Sequence, residues 1–338
     1  MKKYQRLFSA FILATALLLL ILDTKTAIDG SIQGIDLCIK TLIPTLFPFL
    51  IISILSRELL SGIHFRLIQQ LLKPCMLPKG SEMILVLGFL SGYPIGAKLT
   101  QEAYTQNQIS KTDAQRMLMF CSNAGPSFIF GIVASFFEHS WIPWLMWLIH
   151  ISSGYIVAII VAEPPRPFYC AENNMKIRFV DAIPNALKSL SSICGWVIFS
   201  RIVLNFLEKW FLHDLPNTIR LLLSGLIELS NGCLQLDCIP SADTRFLIAL
   251  TMITLGGFCI ALQTTAVAPD IPIKYYLKGK FMQSIISLTI AIPLLMIIFP
   301  NNHQKSFPIL FILLILVLCF SIINSKKKSS SIPKENVV

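Results

Sequence analysis

The feature that most constrains this chain is a series of long apolar stretches separated by short polar connectors. A helix needs about 20 mostly apolar residues to cross the hydrocarbon core of a bilayer. The chain has 338 residues, of which 54% are hydrophobic and only 14% charged. Eight stretches have the length and composition of membrane spans, namely residues 7–22, 37–56, 117–137, 141–162, 193–207, 246–267, 281–299 and 307–323. We therefore predict an all-α polytopic membrane protein with about eight transmembrane helices in a lipid bilayer.

Two shorter apolar stretches, residues 83–97 and 221–236, carry Gly, Pro or polar residues near their ends. Interrupted backbone at membrane depth is stable only inside protein or beside a water-filled cavity, so we predict that both segments are re-entrant. With this topology and a cytoplasmic N-terminus, most Lys and Arg residues lie on the cytoplasmic side, as the positive-inside rule requires. The C-terminus is then cytoplasmic as well. The basic start of the chain also fits a cleaved signal peptide, but we expect the first helix to be retained.

The same topology predicts two units of opposite orientation, each with a span, a re-entrant segment and a second span. The sequence ILSRELL at residues 54–60 matches IFSRIVL at residues 198–204 at four of seven positions. The predicted organisation is an N-terminal helix and external loop (1–36), a first repeat (37–137), a connecting helix and cytoplasmic loop (138–180), a second, inverted repeat (181–267), two C-terminal helices (268–325) and a polar cytoplasmic tail (326–338). Inverted repeats with interrupted segments in corresponding positions are typical of secondary transporters, which bind their substrates where those segments meet.

Several functional classes are not indicated. The net charge of +10 lies in connectors rather than in a basic patch with interleaved aromatic residues, so we predict no nucleic-acid partner. The nine cysteines are scattered without a CxxC pair, which predicts neither a disulfide framework nor a zinc site. The chain contains no HExxH, GxSxG or Walker motif, so we expect no enzymatic activity, cofactor or metal. His150 has no second ligand at helical spacing, and we expect it to have a packing or interfacial role.

The motif GFLSGYPIGAK interrupts the first re-entrant segment. It combines three glycines with a proline, ends at Lys98 and places hydroxyl groups at Ser91 and Tyr93. A helix cannot continue undisturbed through this sequence, and the freed backbone groups need partners, for which a polar ligand or ordered water is suited. The alternative is that the glycines only permit close helix packing.

The motif CSNAGPSFIFG has the same character. Asn123 is suited to cap a helix, Gly125 to break it and Pro126 to begin a new half-helix. The N-terminus of a half-helix carries free N–H donors and positive partial charge, so it can bind an anionic group. The alternative is an ordinary span kinked by its proline.

In the second unit, Glu228, Ser230 and Asn231 lie in the sequence IELSNGC, and Gln263 lies near the end of the following span. An ionisable group inside a membrane costs several kcal/mol unless it is paired, which makes Glu228 a functional candidate. We expect it to bind a coupling proton or cation, or to pair with Lys98 or Arg201. The alternative is that Glu228 faces an aqueous vestibule and only solvates the tip of the re-entrant segment.

The sequences LIPTLFPFLIISILSRELL, GFLSGYPIGAK and CSNAGPSFIFG together resemble the YlbJ family of bacterial sporulation membrane proteins, which contain the nucleoside-recognition or Gate domain. The resemblance implies a fold similar to that of concentrative nucleoside transporters and transport of dipicolinate from the mother cell across the outer forespore membrane. It also implies a binding site formed by Ser91, Gly92, Tyr93, Pro94, Gly96, Lys98, Asn123, Gly125, Pro126 and Ser127.

The leading hypothesis is thus a secondary transporter or facilitator of a small organic anion in the cell membrane, working by alternating access around a site at the bilayer midplane. A membrane scaffold without transport activity, which recruits partners during spore assembly, is the second hypothesis, and a nucleoside transporter is a further alternative. The sequence makes no prediction of the oligomeric state.

Overall fold

The structure, a computed structural model, describes residues 2–59, 66–78, 81–164 and 179–298. All regular elements in these ranges are helical. The α-helices are α1 (Lys2–Leu22), α2 (Thr24–Leu37), α3 (Ile43–Leu59), α4 (Arg66–Leu72), α5 (Glu82–Ser91), α6 (Ile95–Thr105), α7 (Lys111–Met117), α8 (Pro126–Gly131), α9 (Trp141–Ile160), α10 (Phe179–Leu207), α11 (Asn217–Ile227), α12 (Leu229–Cys233), α13 (Ala242–Leu255), α14 (Gly257–Val267) and α15 (Lys274–Ile298). A π-helical turn, Cys38–Leu42, joins α2 to α3.

Five helical segments of the described chain are long and apolar enough to cross a membrane. They are Thr24–Ile52, Trp141–Ile160, Val180–Leu212, Ala242–Val267 and Lys274–Ile298. A sixth predicted span, residues 7–22, lies within the continuous helix α1. The predicted span at residues 307–323 and the tail at 326–338 lie outside the described residues. An all-α polytopic membrane protein is therefore the coarse architecture on which sequence and structure agree.

The predicted span at residues 117–137 is not a single helix. Helix α7 ends at Met117, residues 118–125 form turns and irregular backbone, and only the short α8 and a 3₁₀ turn, Val133–Phe136, follow. Pro126 lacks an N–H and stands at the first position of α8, as its sequence context predicts. The span is interrupted because contacts with other helices stabilise the non-helical backbone of residues 118–125, which we call the first break.

The predicted span at residues 246–267 is also divided. Helix α13 ends at Leu255, the following residue Gly256 has a left-handed φ of 77°, and α14 begins at Gly257. Gly257 has a φ of 74°, so two consecutive residues adopt backbone that side chains other than glycine rarely tolerate. This pair of glycines is the second break.

Each predicted re-entrant segment forms two short helices that pack against each other, α5 with α6 and α11 with α12. Glycines in each pair of helices allow a third segment of the chain to pack closely against both helices. A methyl group at Gly88 or Gly96 would lie 1.9 or 1.8 Å from the Cys121 carbonyl oxygen, so both helices contact the backbone of the first break. In the second pair, a methyl group at Gly225 would lie 2.1 Å from the Met252 sulfur.

The two halves thus share an order of elements: a long helix, a helical hairpin and a broken helix. Ser110 precedes Gly125 by the same number of residues as Ser241 precedes Gly256, and both serines stand at helix N-termini. Helix α10 packs along α2 and α3, which brings the two halves together.

Candidate functional site

The tip of the first hairpin meets the first break. Gly92, with a φ of 83°, ends α5, and a methyl group there would lie 3.0 Å from the Gly125 nitrogen. Ser91 is buried at the end of α5, and Pro94 stands at the N-terminus of α6 after a cis peptide bond. The Tyr93 hydroxyl donates a hydrogen bond to the Ile253 carbonyl oxygen over 3.0 Å. This bond connects the first hairpin to the broken helix of the second unit.

Side chains satisfy the polar groups of the first break. The Asn123 amide is fully buried and donates from Nδ2 to the Phe120 carbonyl oxygen at 2.7 Å. The Ala124 N–H donates to Nε2 of His150 at 3.1 Å. Nε2 acts as the acceptor in this bond, because the backbone N–H can only donate. His150 therefore supports the break, a more specific role than the packing expected from sequence.

Helix α15 places the ammonium of Lys280 beside this break. Lys280 is 1% exposed, and its Nζ donates to Asn123 Oδ1 at 2.9 Å and to Gln283 Oε1 at 2.7 Å. The ring centroids of Tyr93 and Tyr276 lie 5.3 and 5.8 Å from Nζ, within the range of cation–π attraction.

Gln283 is fixed in turn because its Nε2 donates to the His150 carbonyl oxygen at 3.0 Å. The Lys280 cluster, as we name this group, consists of Tyr93, Asn123, His150, Tyr276, Lys280 and Gln283.

The Lys280 cluster has no counter-charge within the described part of the chain. No carboxylate there lies within 4 Å of Nζ, and both acceptors of the ammonium are neutral amide oxygens. A buried, unpaired charge in a membrane protein is expensive and is a marker of function. The centre where the first hairpin, the first break and α15 meet therefore holds a buried lysine that an anionic group would suit.

Glu228 has a different environment from the one expected. It is 2% exposed and joins α11 to α12, where its two carboxylate oxygens accept the backbone N–H groups of Ser230 at 3.1 Å and Asn231 at 2.8 Å. In the described residues Glu228 forms no ion pair with Lys98 or Arg201, two of its possible partners: Lys98 donates to Ser189 and Arg201 donates to Gln33. The carboxylate instead satisfies the free donors at the start of α12.

Several buried polar atoms near both breaks have no hydrogen-bond partner among the described residues. Ser127 and Asn231, two of the predicted site residues, belong to this group through their Oγ and Nδ2 atoms, and Ser122 Oγ joins them. Gln263, on α14, donates from Nε2 to the Cys259 sulfur at 3.3 Å. In the described ranges, no cluster of three or more His, Cys, Asp or Glu side chains could hold a metal ion.

The structure therefore brings together Gly92, Tyr93, Asn123 and Gly125, while Lys98 lies against α10 and Glu228 belongs to the second hairpin. Sequence reasoning missed Lys280 and Gln283. The signal was present: residues 280, 283, 284 and 287 are all polar, at the spacing of one helix face within an otherwise apolar segment. The predicted span, residues 281–299, begins directly after Lys280 and so leaves the lysine outside the membrane.

These features define a polytopic α-helical membrane protein in which a helical hairpin and a broken helix meet around a buried lysine. In sequence the chain is similar to the sporulation integral membrane protein YlbJ of Bacillus subtilis strain 168, at 26% identity over 329 aligned residues that cover 82% of this chain and 79% of the relative. This similarity confirms the resemblance to the YlbJ family that the motifs indicate. No family model matches the chain, and no solved structure matches it.

Proposed function

We propose that the protein transports a small organic anion across a membrane by alternating access of two inverted units. The observation that carries this proposal is the meeting of interrupted helices around a buried lysine. Broken helices surrounded by protein are how secondary transporters place polar backbone and ion-binding side chains at the bilayer midplane. Each unit contributes one hairpin and one broken helix, in the same order along the chain.

Contacts on the predicted cytoplasmic side support the inverted topology. Arg116 donates to the carbonyl oxygens of Cys75, Met76 and Glu163, and these residues belong to segments that the charge distribution places in the cytoplasm. Gln101 donates to the Asp270 carboxylate at 2.6 Å and so joins two further segments expected on that side.

Contacts on the predicted outer side also join segments that are expected on the same side of the membrane. Arg245 donates to the carbonyl oxygens of Ile239 and Phe136, which links the start of α13 to the end of the first broken helix. Lys209 forms an ion pair with Asp23, and both are expected outside. Each of these contacts joins segments on one predicted side, which favours re-entrant hairpins over full crossings.

An anion fits the site better than a neutral nucleoside. The Lys280 cluster presents a cation, amide groups and two tyrosine rings, whereas a ribose calls for several carboxylate or amide acceptors. The relative is a sporulation protein by name, and the family resemblance implies dipicolinate. We therefore propose dipicolinate as the substrate and the outer forespore membrane as the location, with Glu228 as a candidate for a coupling proton or cation.

The test is dipicolinate flux into proteoliposomes that contain the purified protein. The native chain and Lys278→Gln, which changes an exposed lysine of the same helix, are expected to give saturable flux. Lys280→Gln is expected to lose most of it. Folded protein that moves neither dipicolinate nor nucleosides would contradict the transporter proposal and favour the scaffold hypothesis.

A further inference from the structure

We propose that Lys280 binds a carboxylate group of the substrate, and that this carboxylate replaces the Asn123 amide oxygen on the lysine ammonium. The inference rests on the proposed function and specifies the residue that selects the substrate class. The contact in question is the hydrogen bond from Lys280 on α15 to Asn123 in the first break.

The first argument is the mismatch between the lysine and its acceptors. An ammonium has three N–H donors, and two of them are directed to neutral amide oxygens at 2.9 and 2.7 Å. A carboxylate would accept the same hydrogen bonds and also supply the missing negative charge. The hydrogen bonds from an ammonium to amide oxygens lack the attraction between opposite charges that a carboxylate adds, and this attraction is stronger in a protein interior than in water.

The second argument concerns which amide is replaced. Gln283 lies one turn from Lys280 on the same helix, and its own N–H group is held by the His150 carbonyl oxygen. Asn123 belongs to the non-helical break and reaches Lys280 from a different element. A carboxylate that takes the place of Asn123 therefore releases the break from α15, whereas replacement of Gln283 would leave this junction intact.

The third argument is the shape of the surroundings. The Tyr93 and Tyr276 rings lie on the ammonium, and Tyr93 is anchored through its hydroxyl to Ile253. Two aromatic rings beside a cation suit a carboxylate that is attached to an aromatic ring, because that ring can stack offset on a tyrosine while the carboxylate pairs with the lysine.

The sharpest test is Asn123→Asp. This substitution keeps the shape of the side chain and places a resident carboxylate within hydrogen-bond distance of Lys280. The variant loses the Nδ2 donor to the Phe120 carbonyl oxygen, which costs about 1–3 kcal/mol, and gains a negative charge beside Lys280. Its unfolding midpoint is therefore measured beside binding, and Asn123→Ala, which loses the same donor without adding a charge, is the matched control. If the lysine serves an incoming carboxylate, the resident one blocks it, and affinity for dipicolinate falls by roughly 30-fold or more.

Binding is measured by calorimetric titration with dipicolinate and with its neutral isostere pyridine-2,6-dicarboxamide. The native protein and Lys278→Gln should prefer dipicolinate, whereas Asn123→Asp and Lys280→Gln should lose that preference. Native-like preference in either cluster variant would overturn the inference, as would a native protein that does not discriminate between the two probes.

The two proposals fail in different ways. Saturable flux of dipicolinate by the native protein, together with unchanged preference in Asn123→Asp, leaves the transporter standing and removes Lys280 as its carboxylate ligand. Loss of preference in Asn123→Asp without any flux through the native protein supports a carboxylate site in a protein that does not transport.

Discussion

Glu228 and Lys280 are ionisable residues at buried positions, yet neither is held by an opposite charge among the described residues. Glu228 accepts two backbone N–H groups, and Lys280 donates to two amide oxygens. The two environments differ. The Glu228 carboxylate accepts the free N–H groups at the start of a helix, whereas the amino group of Lys280 has no carboxylate partner among the described residues. The cap of a helix N-terminus thus accounts for the burial of Glu228, whereas no local structure accounts for the burial of Lys280.

Glu228→Gln is expected to destabilise the protein. Each carboxylate oxygen accepts one backbone N–H, so a glutamine would direct its NH₂ group at one of these donors. Such a buried mismatch costs about 1–3 kcal/mol. Thermal unfolding in detergent should show a lower midpoint for Glu228→Gln, whereas Glu138→Gln at an exposed position should match the native protein. Equal midpoints in all three proteins would show that this cap contributes nothing to stability.

Arg116 donates hydrogen bonds to the segment that contains Cys75. The rate at which the Cys75 thiol reacts with maleimide tests whether these bonds keep the segment in place. Burial raises the pKa of Cys75 to about 11, although the positive charge of Arg116 acts in the opposite direction. Since the thiolate is the reactive form, Cys75 should react slowly with maleimide at neutral pH. In Arg116→Ala the carbonyl contacts at Cys75 and Met76 are lost, and exposure of the thiol should speed its labelling several-fold.

Peptide mapping by mass spectrometry measures this labelling, with the exposed Cys238 as an internal control. Removal of the arginine charge alone would raise the pKa of Cys75 further and slow the reaction. Slower labelling in Arg116→Ala would therefore show that the segment stays closed without its arginine.

At the scale of elements, the first break is defined by what packs against it. The Cys121 carbonyl group lies between glycines of α5 and α6, and the Ala124 N–H is bonded to His150 on α9. Three helices therefore stabilise one stretch of irregular backbone. Rigid packing of this kind gives the interruption a single conformation, which a flexible loop would not have.

Gly96→Ala is expected to destabilise this junction strongly. The new methyl group would lie 1.8 Å from a backbone oxygen that cannot rotate away, so α6 must move relative to the break. Overpacking of a core typically costs about 1–3 kcal/mol, and contact with backbone belongs at the upper end. Gly195→Ala is the matched control: its methyl group meets nothing within 4 Å, and alanine should stabilise α10 by up to about 1 kcal/mol. Unfolding midpoints that fall equally in both variants would contradict the close packing at Gly96.

Sequence patterns predicted some interruptions and missed others for physical reasons. The first hairpin and the start of α8 were predictable because Gly92, Pro94 and Pro126 act on their own backbone. The second break was missed because the apolar run through Gly256 has the length of an uninterrupted span. Lys280 was misplaced because helix α15 begins at Lys274, well before the apolar part of the segment. The depth of a side chain depends on the packing of whole helices, which periodicity alone does not specify.

At the scale of the molecule, the two units are joined by α10 along α2 and α3 and by the bond from Tyr93 to Ile253. The two helical hairpins were predictable because each lies at a short apolar segment with Gly, Pro or polar residues near its ends. Their relation as an inverted repeat stays a prediction. The pairing of Lys280 with Asn123 was not, because it joins residues far apart in sequence that belong to different helices.

The predicted orientation can be tested with Cys238, which is exposed and lies between α12 and α13. The topology places this loop outside the cell. A membrane-impermeant maleimide should therefore label Cys238 in intact cells expressing the protein, and a cysteine introduced as Lys278→Cys should react only after the membrane is permeabilised. The reverse pattern would invert the whole topology, and labelling of both positions from outside would show that the number of crossings is wrong.

Helix α15 follows both units in the chain, yet it supplies the buried cation to the break of the first unit alone. The order of hairpin and broken helix, which both units share, therefore does not account for this lysine, because it lies on a helix outside both units. A carrier with two equivalent halves would hold its cargo equally well from either side. In the proposed transporter the lysine contacts the first unit alone, so the affinities for substrate from the two sides of the membrane are free to differ.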